Sequence, residues 1–287
     1  MKIRKAVIPV AGKGTRFLPA TKSMPKEMMP IIDKPIIQYQ VEEMVASGIE
    51  QIILVTGWDK RAIEDHFDNS VELEKYLTDN NKLEYLDQIK KLSSMAEFIY
   101  IRQKGSYGNG TPCLNAKNII GNEPFIYSYG DDLVKSEVPF TKQLIDTYDK
   151  EHCSVLGVQE VAPEDVVRYG IVKLKESGSN EVIDFIEKPS VEEAPSRLAI
   201  FGRFVFEPKI FEELENTNIG KGNELWLTDA MINLIKNGGK IVAKQVEGGR
   251  WLTTGDPLQY LIATFEYARD RKDIWPKLEK YLQENFK

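Results

Sequence analysis

Residues 5–16 read Lys-Ala-Val-Ile-Pro-Val-Ala-Gly-Lys-Gly-Thr-Arg, and this stretch decides the fold. Lys5 to Val10 is an apolar run of strand length that stops at Ala11-Gly12. A polar loop rich in Gly and Pro follows, from Gly12 to Pro25. Ile36 to Ala46 then carries Ile37, Val41, Met44 and Val45 on one helical stripe, and Gly48 supplies a stop. Gln51 to Thr56 is a second strand, rich in β-branched residues. Strand, loop, helix and strand in that order are the parts of a βαβ unit.

The alternation continues outward. Ile63 to Leu92 is expected to be mostly helical, Glu97 to Arg102 a third strand and Asn115 to Ile120 the end of a short helix. Pro124 to Ser128 is a fourth strand, ending at Gly130-Asp131-Asp132. A helix is expected at Phe140 to Tyr148, then strands at Ser154 to Glu160, Gly170 to Leu174, Val182 to Glu187 and Ile200 to Phe206. Helix Leu227 to Ile235, strand Lys240 to Gln245 and helices Leu258 to Tyr267 and Ile274 to Glu284 complete the chain. The expected class is α/β: a Rossmann-like mixed, mainly parallel sheet flanked by helices, with a C-terminal helical extension. No linker, repeat or composition break divides it. Residues 1–287 are therefore expected to form a single domain, with a 1–255 core and C-terminal helices at 256–287.

Composition removes several function classes. The net charge is −6, from 38 Lys+Arg against 44 Asp+Glu, which speaks against a nucleic-acid partner bound through a broad basic face. Cys113 and Cys153 make neither a disulfide framework nor, with only His66 and His152 in the chain, a zinc site. Chemistry that needs a histidine base is disfavoured for the same reason. No apolar run approaches the ~20 residues that span a bilayer. The start of the sequence has no signal-peptide pattern, so a cytoplasmic protein is expected, with no membrane partner.

In open α/β sheets ligands bind beyond the carboxyl ends of the strands, and the informative motifs sit there. Gly12 and Gly14 would let backbone N–H groups approach an anion, and Arg16 adds a planar fork for phosphate oxygens. The loop is neither a Walker pattern nor a dinucleotide fingerprint, and a plain tight turn would also account for it. Lys26 follows ten residues after Arg16, in a loop bounded by Pro25 and Pro30.

With these residues the sequence resembles the sugar-1-phosphate nucleotidyltransferases, and most of all the bacterial UTP–glucose-1-phosphate uridylyltransferases. Gly12 to Gln38 carries the resemblance, including Phe17-Leu18-Pro19-Ala20-Thr21-Lys22 and Pro25-Lys26-Glu27-Met28, and it extends over nearly the whole chain. It implies the nucleotide-diphospho-sugar transferase fold. It also implies nucleotide contacts from Ala11, Gly12, Gly14, Thr15, Glu27, Gln103 and Gly108. Arg16 and Lys26 would grip the triphosphate and Lys188 the sugar phosphate. Gly170, Glu187 and Lys188 would meet the sugar, and Asp131 would hold Mg2+.

Several of these positions also have a plain structural reading. Gln103 offers the donor and acceptor that suit a pyrimidine edge, or it is simply a polar strand end. Asp131 and Asp132 read as a magnesium site or as a turn, and the resemblance makes Asp131 the ligand. Glu187 and Lys188 are adjacent, so both can serve one site only if their strand ends there. Lys60 and Arg61 read as a solvated face, and His66 as structural. Thr228 or Asp229 reads as the cap of the helix that follows.

Two departures from the family pattern stand out. Gly108-Asn109-Gly110-Thr111-Pro112 replaces the usual Gly-Leu-Gly-His-Ala, and Thr253 stands where the family carries a metal-binding aspartate. Asp256 is three residues too far along to be assumed a substitute.

The implied activity is transfer of a uridylyl group from UTP to glucose 1-phosphate, releasing pyrophosphate. Two alternatives stand beside it: a thymidylyltransferase for the same sugar phosphate, and a weakened sugar-nucleotide-binding regulatory protein, motivated by Thr253. A homodimer or homotetramer is implied as well.

Overall fold

Four parallel strands in the first half of the chain bring their carboxyl ends to one edge. The structure is a computed structural model and describes residues 1–286. β1 (Lys5–Pro9) leads through single-turn segments to a small hairpin, β2 (Pro30–Ile31) and β3 (Lys34–Pro35), and then to α1 (Ile36–Ala46). β4 (Gln51–Thr56) is followed by α2 (Arg61–His66), α3 (Val71–Asp79), α4 (Leu83–Ser94) and β5 (Glu97–Arg102). Next come α5 (Gly110–Asn115), α6 (Lys117–Ile120), β6 (Phe125–Ser128), β7 (Asp132–Ser136) and α7 (Phe140–Glu151). The second half runs β8 (Ser154–Glu160), β9 (Gly170–Leu174), β10 (Val182–Glu187), β11 (Leu198–Phe206), α8 (Lys209–Asn216) and α9 (Leu227–Lys236). β12 (Ile241–Gln245), β13 (Gly249–Thr253), α10 (Pro257–Ala268) and α11 (Trp275–Asn285) close it.

Nine of these strands form one mixed sheet, as expected. β6, β1, β4 and β5 lie side by side and parallel. β11 joins antiparallel to β6 and carries β8 and β9, while β12 pairs parallel with β8. The apolar run of β1 is explained by cover on both faces. Val7 packs with Ile53, Val55 and Tyr127 on one side, whereas Ala6 and Ile8 pack with Ile52 and Leu54 on the other. The period-two alternation of a strand thus divides one apolar run between two cores.

Ile63 to Leu92 is mostly helical, as expected, in three helices separated at residues 67–70 and 80–82, with Asn81 in the left-handed region at φ 54. Elsewhere the structure differs from the sequence expectation. α8 was not anticipated, although Ile210, Phe211 and Leu214 give it a buried stripe. Asn115 is the last residue of α5, and α6 is a separate turn. Asp132, read as loop, opens β7, which pairs antiparallel with β13 in a ribbon apart from the main sheet. That ribbon sets Thr253 directly opposite Asp132 and so brings the far end of the chain to the β6 loop.

Candidate active site

The loop after β1 folds by its own local rules. Gly14 is left-handed at φ 63, and a Cβ there would press on Lys26 Cβ at 3.2 Å and Thr21 Cγ2 at 3.3 Å. Thr21 Oγ1 donates to the Gly14 carbonyl at 2.7 Å. Gly14 therefore shapes the loop, and neither it nor the exposed Thr15 lines a cavity. Ala11, Gly12, Lys13 and Arg16 do line one. This cavity holds about 680 Å³, within the range of small-molecule sites. Lys26, Glu27, Gln103, Tyr107, Gly108, Asn109, Asp131, Glu224 and Trp226 form much of the rest of its wall.

Its central charges are paired. Lys26 Nζ donates to Asp131 Oδ2 at 2.6 Å. Burial opposes the charge on each, yet attraction and the hydrogen bond outweigh it: Lys26 titrates above the ordinary lysine value and Asp131 below the ordinary aspartate value. Asp132 faces inward. Burial and the neighbouring charge of Asp131 push it up to about 6, although Gly202 N and Trp251 Nε1 both donate to its carboxylate. Asp131 lines the larger cavity and Asp132 does not; Asp132 lies on the wall of a smaller, adjoining one.

Lys60 overturns the reading of a solvated face. Its side chain is 1% exposed, and its Nζ donates to the Gly12 carbonyl at 2.6 Å and to Glu27 Oε2 at 3.4 Å. Arg61 does point to solvent. Glu27 is fully buried, and its other oxygen, Oε1, has no partner among the described residues. Burial raises its pKa, against the pull of Lys26 and Lys60. His66 meets Gln38 Oε1 at 3.1 Å, a structural contact.

Gln103 continues β5, with its N–H on the Thr56 carbonyl at 3.0 Å, and its side chain lines the cavity. Gly108 is left-handed at φ 115, and a Cβ there would collide with the backbone of Leu225. It thereby lets two walls of the cavity approach each other. Asn109 joins those walls: Oδ1 accepts from Leu227 N at 2.8 Å and Nδ2 donates to Tyr129 Oη at 2.7 Å. So the helix at Leu227 is capped by Asn109, 118 residues away in sequence, and by neither Thr228 nor Asp229.

A second cavity of about 320 Å³ shares Arg16, Asn109, Tyr129, Asp131 and Trp226 with the first. It extends to Arg168, Tyr169, Gly170, Glu187, Thr228 and Thr253. A Cβ on Gly170 would lie 3.1 Å from Glu187 Oε2, so the glycine leaves room for that carboxylate. β10 ends at Glu187, and Lys188 turns left-handed at φ 47. Lys188 lines neither cavity: its side chain is 62% exposed, with Nζ 3.8 Å from Glu187 Oε1. Asp256 accepts from Gln259 N at 3.0 Å as the cap of α10 and pairs with Arg168 at 3.5 Å, which gives it a structural role. Arg16 Nη1, Thr253 Oγ1 and Asp131 Oδ2 converge on Gly255, each 3.3 to 3.5 Å from where its Cβ would stand. Among the described residues no three His, Cys, Asp or Glu side chains cluster as a metal site.

Sequence reasoning missed Lys60 and Asn109 because their partners are remote in the chain, and Arg168 because only its contact with Asp256 is long-range. Trp226, Tyr107 and Tyr129 carried no local signal beyond being aromatic.

The nucleotidyl transferase family model matches residues 5–270. The UTP–glucose-1-phosphate uridylyltransferase of Bacillus subtilis (strain 168) is 48% identical over 286 residues, covering 98% of this chain and 97% of its own. A solved UDP-glucose pyrophosphorylase complexed with UDP-glucose is 40% identical, with a TM-score of 0.84, over 94% of this chain and 100% of that one. The UTP-bound UGPase from Acinetobacter baumannii is 35% identical, with a TM-score of 0.88, over 99% and 100%.

Proposed function

Because the chain belongs to the nucleotidyl transferase family, we propose that it transfers a uridylyl group from UTP to glucose 1-phosphate, giving UDP-glucose and pyrophosphate. The observation that carries this reading is the junction of the two cavities. Arg16 and Asp131 line both, and Lys26 reaches Asp131 from the first. A nucleotide in the larger cavity and a sugar phosphate in the smaller would meet at these charges.

The chemistry fits the residues at hand. An oxygen of the sugar phosphate bonds to the α-phosphorus, and the bond from that phosphorus to the bridging oxygen breaks, releasing pyrophosphate. The attacking oxygen is already ionised near neutral pH, so no general base is required. Neither histidine lines either of these two cavities. Catalysis is then alignment and neutralisation of charge. Gly12 and Ala11 would hold the nucleotide, Gln103 the uracil edge, and Arg16 and Lys26 the phosphates. Glu187 and Gly170 would meet the sugar. Lys188 would have to swing from solvent to reach the sugar phosphate.

Asp131 also suits Mg2+, which takes one or two carboxylates and completes its shell with phosphate oxygens and water. Thr253 would offer only a neutral hydroxyl beside it. When bound, the ion would neutralise phosphate charge, and Lys26 would be freed from Asp131 to do the same.

We also read 1–287 as a single domain with a 1–255 core, because both halves of the chain feed one sheet; Lys287 lies outside the described residues. No helix among the described residues is long and apolar enough to cross a membrane, which suits a cytoplasmic enzyme. A homodimer or homotetramer is supported by Leu258, Leu261, Ile262 and Phe265, exposed at helical spacing on α10.

The test is pyrophosphate release with glucose 1-phosphate and either UTP or dTTP, with and without Mg2+. UTP should be the better substrate and should need the ion. A preference for dTTP would make the protein a thymidylyltransferase. No release with either, alongside UDP-glucose binding, would make it a binding protein.

A further inference from the structure

We infer that Lys60 is a positioning residue for this transfer, holding the anion-binding loop and the Lys26 turn in place from beneath. The inference rests on the uridylyl-transfer reading. Lys60 stands at the start of α2 and lines neither cavity, so it touches no substrate. Lysine is among the residues least often fully buried, and a buried ammonium persists only with close partners. Both of its partners belong to the site.

The first partner is the Gly12 carbonyl, at 2.6 Å. In a trans peptide the C=O and the next N–H point in opposite directions. Fixing Gly12 O on the buried Lys60 therefore aims the Lys13 N–H away from the interior. Both Gly12 and Lys13 line the larger cavity, where such an N–H can meet a phosphate. The turn that carries Lys60 fits closely under this loop: a Cβ on Gly57 would lie 3.6 Å from both Ala11 O and Lys60 Cγ.

The second partner is Glu27, next in sequence to Lys26. Glu27 lines the cavity, is fully buried and has an unpartnered Oε1. Left alone, a buried carboxylate here would repel a triphosphate. Lys60 cancels that charge from behind and fixes the backbone from which Lys26 reaches Asp131. One buried ammonium thus sets both the N–H groups and the cation on the phosphate side.

The experiment uses the full chain with Lys60→Met, which keeps the apolar stem and removes the ammonium. Circular dichroism and a cooperative thermal transition establish that it folds. Calorimetric titration should then show the Kd for UTP raised at least about tenfold, with the KM for glucose 1-phosphate within about twofold of the unsubstituted chain. A merely structural lysine would lower the melting temperature and leave both constants alone. A folded variant with UTP affinity within about twofold of the parent overturns the inference.

If Lys60→Met does not fold, the comparison moves to the double variant Glu27→Gln, Lys60→Met against Glu27→Gln alone. The Gly12 contact is independent of Glu27, so the double variant should bind UTP at least about fivefold more weakly, and equal affinities overturn the inference. An unsubstituted chain that binds no UTP would instead count against the uridylyl assignment. The same titrations with dTTP would then test Lys60.

Discussion

Asp131 and Asp132 are neighbours with opposite fates, and the difference is one of partners. Asp131 meets a cation and is held ionised, whereas Asp132, held by Gly202 N and Trp251 Nε1, is pushed up to about 6 by burial and by Asp131. This gives a pH dependence with a definite sign. The folded chain keeps a proton on Asp132 that the unfolded chain releases between about pH 4 and pH 6. The stabilisation is fully present below the unfolded value and is lost as pH rises through the folded one. Asp132 alone therefore makes the protein less stable at neutral pH than near pH 5. His66, lowered by burial, works in the opposite direction, and Glu27 is raised, but both are common to parent and variant. In Asp132→Asn the fall in urea midpoint from about pH 5 to about pH 7.5 should be smaller than in the parent. An equal fall in both would mean that Asp132 titrates normally.

At the scale of elements, Asn109 is the joint between two walls of the site. It caps α9 through Leu227 N, holds Tyr129 Oη, and receives the Tyr127 hydroxyl on its own carbonyl at 2.6 Å. Asn109→Ala removes a helix cap and a partly buried side-chain hydrogen bond, which together cost about 1 to 3 kcal/mol. It should also weaken UTP binding, because Asn109 and Trp226 line both cavities. Urea unfolding and calorimetry on one preparation read both effects, and a variant as stable as the parent would refute the capping role. Asn109 also illustrates what the sequence could and could not reveal. β1, β4 and β5 were legible because each is an apolar run between turn residues. The ribbon of β7 and β13 was not, since Asp132, Lys135, Ser136 and Arg250 interrupt its apolar pattern. Gly12, Gln103 and Asp131 were legible as residues following strands, and Ala11, Arg16 and Lys26 through the motif that carries the family resemblance; the structure brings all six to one cavity. Lys60 was misread because nothing local distinguishes a buried lysine from a solvated one; its partners, Gly12 and Glu27, are more than thirty residues away. Lys188 was read from its motif, but its left-handed backbone leaves it in solvent.

For the whole molecule, a net charge of −6 is compatible with the proposed binding of a polyphosphate, because that needs only a few local cations and no broad basic face. Arg16 and Lys26 face the cavity and Lys60 supports it from below. The remaining question at this scale is what covers α10. The helix packs against β13 and β2 through one face, where Ala263 is buried. Its other face shows Leu258, Leu261, Ile262 and Phe265, with Leu258 as much as 64% exposed. A stripe at i, i+3, i+4 and i+7 is the pattern of a helix that has a partner. A second copy bound through a two-fold axis would cover both stripes at once, since such an interface uses the same patch on each subunit. Sedimentation should therefore give a mass that is a multiple of 32.8 kDa at micromolar concentration. The paired change Leu261→Asp, Phe265→Asp sets like charges against each other across that axis and should lower the mass to the next smaller species. UTP affinity should stay within about twofold, because neither residue lines a cavity. A parent that sediments at 32.8 kDa, or a variant whose mass does not change, would mean that α10 is not the contact.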